Sequence, residues 1–209
     1  MKIAVIAADG RSGRAFVDEA LKRGHRVRAG IFRQNPFEAN PSLEVATCNA
    51  TNLDVVRKLI VGQDAIVSLI GHTKGAAKDV QTHAIENVVN AAKEIDVKRI
   101  VSLTGTGVRF PGDVITFLDV FLNTSIKIID PARVRDGINH AEVLKASGLD
   151  WTILRVLKLQ NVPEKPFALT ENGPTKPYVG RAEVAKALVD ILEAKTFIQK
   201  APIISKSRK

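Results

Sequence analysis

Short runs of β-branched and apolar residues alternate with amphipathic stretches along most of this sequence. The runs predict seven or eight strands, and the stretches between most of them predict helices. Because a strand followed by a helix returns to a parallel neighbour, the alternation predicts an α/β fold with a parallel sheet covered on both faces. The expected strands are Lys2 to Ile6, Arg26 to Phe32, Leu43 to Cys48, Ala65 to Ile70, Arg99 to Leu103, Trp151 to Val156 and a closing strand near Pro202 to Ile204.

Helices are expected where apolar residues recur at helical spacing, most clearly from Asp79 to Glu94, where they form a wide stripe. Residues 157–177 are rich in proline and glycine and are expected to be irregular. Because no linker or repeat interrupts the pattern, residues 1–209 are interpreted as one domain, with cap segments near 105–130 and 157–178. The other expected helices are Ser12 to Lys22, Pro131 to Lys145 and Val184 to Leu192.

Composition narrows the expected partners. The 31 Lys and Arg residues exceed the 22 Asp and Glu residues and give a net charge of +9, but they are spread along the chain, so nucleic acid is not expected. Cys48 is the only cysteine, which is typical of a reducing cytoplasm. The four histidines lack metal-ligand spacing, so no metal is expected. The longest apolar run, Ile3 to Ala8, is far below the ~20 residues that span a bilayer, and no membrane partner is expected.

The first strand is followed by the segment Ala7-Ala8-Asp9-Gly10-Arg11-Ser12-Gly13 and then by a predicted helix. A strand that turns tightly into a helix exposes N–H groups and the positive end of the helix dipole, and glycine lets a pyrophosphate approach the backbone. We therefore expect a dinucleotide phosphate site. Ala7 stands where the general pattern has its first glycine, so it needs a negative φ or accepts strain. The alternative is a plain turn with Asp9 or Arg11 facing water and Ser12 capping the helix.

The segment after the second strand indicates the cofactor. No acidic residue lies between Gly24 and Gln34, where NAD-dependent enzymes carry a carboxylate for the ribose hydroxyls. Arg33 lies twenty residues after Gly13, where a guanidinium can bind a 2′-phosphate through two hydrogen bonds. The sequence therefore favours NADP(H) over NAD(H). Alternatively, Arg33 is an ordinary exposed loop residue, or Arg28 or Arg26 shares its role.

Several segments beyond the glycine turn together match one known family: Gly62 to Val67 leading to Ile70-Gly71, Val101 to Thr104, Ala141 to Leu144, Ser147 to Arg155, and Arg181 to Ala185. On these motifs, most of the chain resembles the atypical short-chain dehydrogenase/reductases of the NmrA-like type, which include biliverdin reductase B and the flavin reductases. The resemblance implies a Rossmann-type doubly wound parallel sheet with a small irregular C-terminal cap.

The resemblance also implies a cofactor contact for each part of the dinucleotide. The pyrophosphate would contact Asp9, Gly10, Arg11, Ser12 and Gly13; the adenosine phosphate, Arg33; the adenine, Asn49 and Ala50; the ribose, Ile70, Gly71 and His72; and the nicotinamide, Thr104, Arg155, Val156 and Leu157. Two positions depart from the family pattern. Relatives usually carry Asp near Asn49, and the usual Arg-Pro pair is Arg155-Val156 here.

The residues available for catalysis limit the reaction. Carbonyl reduction in the classical branch needs a tyrosine and a lysine four residues later, but the only tyrosine, Tyr178, is followed at that spacing by Ala182. Hydride transfer to a flavin or a linear tetrapyrrole asks less of the protein, because a conjugated acceptor can take its proton from solvent. We therefore expect an NADPH-dependent oxidoreductase with FMN or FAD as a substrate. Thr104 and His140 are the candidate catalytic residues, with His72 as a second possible proton donor.

Other interpretations fit the same residues. A non-catalytic NADP(H)-binding regulator, which senses redox state and binds a protein partner, also needs no Tyr/Lys pair. A sugar-nucleotide epimerase or dehydratase is less favoured because it needs the tyrosine and a larger substrate domain.

His140 is expected to face solvent or to have its hydrogen bonds satisfied. Phe110, Phe117 and Leu157 are candidate walls of an acceptor pocket under residues 107–117 and 157–177. The pairs Asp130 with Arg133 and Arg135 with Asp136 are expected at helix ends and on the surface.

Overall fold

The computed structural model describes residues 1–73 and 75–207, and these form ten strands and six helices. The strands are β1 Lys2–Ile6, β2 Arg26–Ile31, β3 Leu43–Thr47, β4 Ala65–Ser68, β5 Arg99–Gly105, β6 Asp150–Val156, β7 Lys158–Gln160, β8 Phe167–Thr170, β9 Tyr178–Gly180 and β10 Ile203–Lys206. The helices are α1 Arg11–Lys22, α2 Leu53–Ile60, α3 Val80–Glu94, α4 Phe117–Ile129, α5 Pro131–Ala146 and α6 Arg181–Glu193.

Eight of these strands form one sheet in the order β3-β2-β1-β4-β5-β6-β10-β8, and every pairing in it is parallel except that of β10 with β8. One core cluster lies on the α1 and α6 face and includes Phe16 and Leu188. The other lies under α2, α3 and α5 and includes Leu59, Val88 and Leu144. The α/β class and the Rossmann-type doubly wound sheet expected from the sequence are confirmed.

The buried patterns explain why these segments fold as they do. The four residues from Ile3 to Ile6 in β1 are buried, as expected for a parallel strand covered on both faces. Helix α1 buries Phe16 and Ala20 at helical spacing and ends before Gly24, whose φ of +79° favours glycine. The strand and helix bounds therefore follow the sequence pattern closely in this half of the chain.

The segments expected to form the cap contain more regular structure than the sequence suggested. Residues 157–177 were expected to be irregular, but β8 lies within them and forms the antiparallel edge of the main sheet. Strands β7 and β9 pair in parallel as a separate two-stranded sheet. Helix α4, which the sequence analysis did not predict, occupies much of the segment near 105–130.

The strand order places a crevice at the carboxyl ends of β1 and β4. The chain passes from β1 to β2 on one side and reaches β4 on the other side, so the connections diverge between these two strands. Ligands of open α/β sheets bind at such a switch point. No helix in the described residues is both long and apolar enough to span a membrane.

Candidate functional site

The turn between β1 and α1 brings the backbone unusually close to itself. Ala7 has a φ of +59°, so of the two expectations for this alanine, strain is the one observed. The N–H of Gly10 donates to the carbonyl of Ala7 at 3.1 Å. A Cβ at position 13 would lie 2.3 Å from the Ala7 oxygen and 2.6 Å from the Ala8 oxygen, both backbone atoms. Only glycine therefore fits at position 13.

Helix α1 begins without a side-chain cap. Its N-cap residue is Gly10, with φ −69° and ψ 162°, and no acidic residue lies in its first turn. Ser12 lies inside that turn, so the alternative in which Ser12 caps the helix is wrong. The N–H groups of the first turn, with the positive end of the helix dipole, are left for a ligand at the switch point.

Asp9 connects the glycine turn to the loop after β2. Its Oδ2 accepts a hydrogen bond from the backbone N–H of Arg33 at 3.0 Å, and its carbonyl accepts from Nε of Arg14 at 3.0 Å. The carboxylate is thus held by the loop that carries Arg33. Arg33 itself is exposed, and no hydrogen bond or ion pair of its guanidinium is seen within residues 1–73 and 75–207.

Neither of the alternative arginines lies near this group. Arg26 pairs in register with Lys2 at the amino end of the sheet, opposite the switch point. Arg28 is bound by Glu44 at 2.7 Å and by the carbonyls of Leu59 and Val61. Of the three arginines considered on β2 and the loop after it, Arg33 is the one at the carboxyl edge.

A further arginine lies beside the glycine turn, and the sequence analysis did not single it out. Arg181 is the first residue of α6, and the N-cap of that helix is Gly180, so α6 also begins without a side-chain cap. Nη1 of Arg181 donates a hydrogen bond to Oδ1 of Asn161 at 2.6 Å. Burial and the nearby charge of Arg11 lower the pKa of Arg181, and its buried Nε has no partner among the described residues. The signal for it is the Gly-Arg pair that opens both α1 and α6.

The residues expected at the adenine follow β3, the neighbour of β2 in the sheet. Oδ1 of Asn49 accepts hydrogen bonds from the N–H and the hydroxyl of Thr51, which form a tight turn. The carbonyl of Ala50 accepts from the Asn87 side chain at 3.0 Å. Both residues lie at the carboxyl edge of the sheet, which is compatible with an adenine contact. The contact itself stays a prediction.

Ile70, Gly71 and His72 follow β4 on the other side of the switch point. The carbonyl of Ile70 accepts from Nε2 of Gln81 at 2.8 Å, which links this loop to α3. Nε2 of His72 lies 2.8 Å from Oδ2 of Asp136, at ion-pair distance but outside hydrogen-bond geometry. A carboxylate on α5 therefore fixes the position of the histidine.

Asp136 was expected to be a surface charge, and that expectation is wrong. Its side chain is fully buried and accepts from the backbone N–H groups of Gln81 and Thr82, both at 2.9 Å. The first turn of α3 is thus capped by a carboxylate from α5. Sequence spacing does not show this contact, because it depends on how the two helices pack.

The two candidate catalytic residues meet at α5: His140 belongs to this helix, and Thr104 of β5 packs against it at Gly137. His140 is 4% exposed, so the expectation that it faces solvent is wrong. Burial lowers the pKa of His140 to about 4 against the opposing charge of Asp136, and its Nδ1 has no partner in the described part of the chain. His140 is therefore neutral near pH 7. A Cβ at Gly137 would lie 3.1 Å from the Thr104 hydroxyl, so Gly137 makes room for that side chain.

The Arg155 side chain is used entirely inside the protein. All five guanidinium N–H groups have acceptors, namely both Asp113 carboxylate oxygens and the carbonyls of Val108, Glu171 and Ala201. Arg155 is 0% exposed. Its guanidinium therefore has no N–H left to donate to a ligand, and the expected contact of Arg155 with a nicotinamide stays a prediction. Only the backbone from Arg155 to Leu157, at the carboxyl end of β6, stays available for that role.

The candidate pocket walls behave differently from one another. The Phe110 ring lies against the Arg155 guanidinium, with 4.8 Å between the guanidinium carbon and the ring centroid. Phe117 is 86% exposed, so its ring is open to solvent. Within the residues that the structure describes, no group of three His, Cys, Asp or Glu side chains is placed to hold a metal ion.

Comparisons with known proteins agree with this geometry. Residues 7–195 match a family model described as NAD(P)H-binding. The chain is 28% identical to divinyl chlorophyllide a 8-vinyl-reductase of Arabidopsis thaliana, over 97% of this chain and 53% of that protein. A short-chain dehydrogenase/reductase of Veillonella parvula in complex with NADP has a similar fold, with a TM-score of 0.82, 19% identity and coverage of 98% and 94%. A proposed NADH-flavin reductase of Streptococcus pneumoniae has a TM-score of 0.76, 22% identity and coverage of 99% and 100%.

Proposed function

The chain belongs to this NAD(P)H-binding family, and on that premise we propose that it is an NADPH-dependent oxidoreductase that transfers hydride to a conjugated acceptor such as a flavin. The observation that carries the proposal is the uncapped start of α1 at the switch point, with Arg11, Arg33 and Arg181 around it. The close approach of the strand and helix backbones at Gly13 forms the tight turn that such a site needs, and the Nε of Arg181, which has no partner among the described residues, fits a bound pyrophosphate.

The preference for NADPH rests on the charges near the end of β2. Asp9, the carboxylate within the glycine turn, accepts a hydrogen bond from the Arg33 N–H at 3.0 Å. Arg33 presents an exposed guanidinium there, which suits a 2′-phosphate and offers nothing specific to a free hydroxyl.

The preference for a conjugated acceptor rests on the shortage of proton donors. Tyr178 is on β9, and Nζ of Lys158 lies over the face of its ring, 5.6 Å from the centroid. His140 is buried and neutral. A flavin or a tetrapyrrole spreads the incoming charge and takes its proton from water. The names of the two similar proteins, a divinyl chlorophyllide reductase and a proposed NADH-flavin reductase, indicate conjugated acceptors and support this class.

NADPH, when bound, would supply the hydride, and a conjugated acceptor would take its proton from water. The chain's own residues bind and orient. The start of α1 and the arginines hold the phosphates, and Asp136 fixes His72 beside the loop after β4. Thr104, 8% exposed at the end of β5, is the hydroxyl available near the reacting end. Its role as a catalytic residue is part of the proposal.

The cofactor assignment is tested by Arg33→Ala, with Arg26→Ala as the matched control at the opposite end of β2. Loss of a charged phosphate contact worth about 1.5–3 kcal/mol weakens NADPH binding roughly 10- to 100-fold and leaves NADH unchanged. Arg26→Ala leaves both affinities unchanged. Calorimetry with each nucleotide measures the ratio. An equal loss for both nucleotides in Arg33→Ala contradicts the assignment.

The acceptor is tested by steady-state NADPH oxidation with FMN, FAD, quinones and biliverdin. Turnover above the non-enzymatic rate with one of these acceptors supports the proposal. Tight NADPH binding without turnover on any of them contradicts the enzymatic function and favours the second candidate below.

The second candidate is a non-catalytic NADP(H)-binding regulator that binds a protein partner according to redox state. The burial and low pKa of His140 favour it, because this histidine is a neutral imidazole near neutral pH and supplies no imidazolium to act as a general acid. The test is a pulldown in NADP⁺ and in NADPH, where a partner retained with only one of them supports regulation. Under either function, we propose one domain over residues 1–209 and a cytoplasmic location.

A further inference from the structure

Helix α4 turns its apolar side chains away from the protein. Phe117, Phe121 and Ile128, which share one helix face, are 86%, 58% and 76% exposed. The only residue of this helix that is fully buried is Asp119. In a helix that packs on a core, the apolar side chains are buried and the charged side chains are exposed. The exposed apolar surface continues into Val114, Ile115, Val120 and Ile129.

The acidic side chains of this segment are all held within the protein. Asp119 accepts from Thr106 and Arg109, and Asp113 forms the buried pair with Arg155. Asp130 caps α5 and pairs with Arg133 at 3.2 Å. No carboxylate of the segment is therefore left unpaired beside the apolar face.

Exposed cations, in contrast, lie on α4 itself and on the neighbouring helix α5. Lys127 is exposed on α4 between its apolar neighbours, and Arg135 is exposed on α5. Neither forms an ion pair in residues 1–73 or 75–207. Lys127 and Arg109 line a shallow depression between α4 and α5, together with Asn123 and Ile138. The face is thus apolar, with exposed cations on the same two helices.

We propose that this α4 face docks the protein on the surface of an anionic lipid bilayer. Phenylalanine and isoleucine side chains enter the boundary between headgroups and acyl chains, and Lys127 and Arg135 contact lipid phosphates. A second copy of the chain fits the face less well, because it would bring together the cations of two chains, each with net charge +9. The inference does not depend on the proposed function.

This surface departs from the sequence-based expectation of no membrane partner. That expectation rested on the length needed to span a bilayer, and no described helix spans one. Docking on a surface needs only an exposed apolar face and nearby cations.

The test is co-sedimentation with vesicles of phosphatidylcholine alone and of phosphatidylcholine mixed with phosphatidylglycerol. We expect binding to the mixed vesicles and not to the neutral ones, weakened by added salt. The variant Phe117→Ser/Phe121→Ser weakens binding on the order of tenfold or more for each ring removed. The variant Lys127→Gln/Arg135→Gln weakens it about 25-fold, at roughly fivefold per cation.

Matched controls separate the face from general charge and hydrophobicity. Phe32→Ser removes another exposed phenylalanine, and Lys58→Gln/Lys93→Gln removes two exposed lysines from α2 and α3. Both controls bind the mixed vesicles as the unmodified chain does. No binding to the mixed vesicles, equal losses in the controls, or a dimer that the Phe117→Ser/Phe121→Ser variant dissociates would each overturn the proposal. NADPH affinity, measured without vesicles, reports separately on the proposed function.

Discussion

The β1–α1 turn and the α4 segment both follow strands at the carboxyl edge of the sheet, but they are built in opposite ways. The turn rests on an apolar helix face, with Phe16 fully buried, and on a backbone approach that only Gly13 permits. The α4 segment rests on buried polar contacts of Asp113 and Asp119 and keeps its phenylalanines outside. Apolar packing therefore holds the glycine turn, and charge pairs hold the α4 segment.

The prediction with the largest expected effect tests whether charge pairs hold the α4 segment. Arg155→Met leaves the 3%-exposed Asp113 carboxylate without its cation, and we expect the free energy of unfolding to fall by about 4 kcal/mol. Arg57→Met, which breaks exposed pairs with Asp54 and Glu94, costs at most about 1 kcal/mol. Urea unfolding measures both. If both variants lose at most about 1 kcal/mol of unfolding free energy, the buried charge pair does not hold the α4 segment.

The second prediction concerns pH and α5, which lies between the two regions. The pKa of His140 is lowered to about 4 in the fold, against about 6.5 unfolded, so the unfolded chain binds more protons between these values. Stability therefore falls as pH drops from about 6.5 to about 4, by up to about 3 kcal/mol. His140→Gln flattens this dependence, and His83→Gln, at an exposed position, does not. An unchanged slope in His140→Gln argues against a buried neutral imidazole.

The third prediction tests the close approach in the turn. Gly13→Ala places a methyl group against two backbone oxygens, and we expect a loss of about 2 kcal/mol in the free energy of unfolding and weaker NADPH binding. Gly105→Ala is the control, because the nearest atoms to its Cβ lie at 3.9 Å. If Gly13→Ala behaves like the control in both measurements, the close approach does not hold the turn.

The smallest expected effect compares two phenylalanines. Phe117→Ala, at 86% exposure, changes the free energy of unfolding by no more than about 0.5 kcal/mol. Phe16→Ala, at 0% exposure, costs about 3–5 kcal/mol. Thermal and urea unfolding of the pair measure the difference directly. A large loss in Phe117→Ala would mean that the α4 face is covered within the folded chain.

The same contrast explains which elements the sequence could predict. Strand β1 and helices α1 and α3 follow from apolar periodicity, because their apolar residues face the core. Helix α4 does not, because its apolar residues face outward. A local signal was present: Thr116 caps the helix and accepts from the Asp119 N–H at 3.2 Å, at capping-box spacing. Strand β8 was missed because its partner, β10, is distant in the chain.

Parts of the candidate site were also within reach of sequence reasoning. The glycine turn and Arg33 lie at the carboxyl edge because strand ends place them there. The engagement of Arg155 and the burial of Asp136 were not predictable, because their partners come from segments far apart in sequence. Arg181 could have been found from the Gly-Arg pair that opens both α1 and α6.

The hydrogen bond from the Arg33 N–H to Asp9 has a practical consequence for redesign. Grafting the β2–β3 loop of an NADH-specific relative onto this chain would exchange Arg33 but leave Asp9 facing a foreign backbone. To keep this contact, a redesign that tests the proposed NADPH preference should exchange both segments as one module, since the carboxylate that holds the loop lies two dozen positions upstream, within the glycine turn.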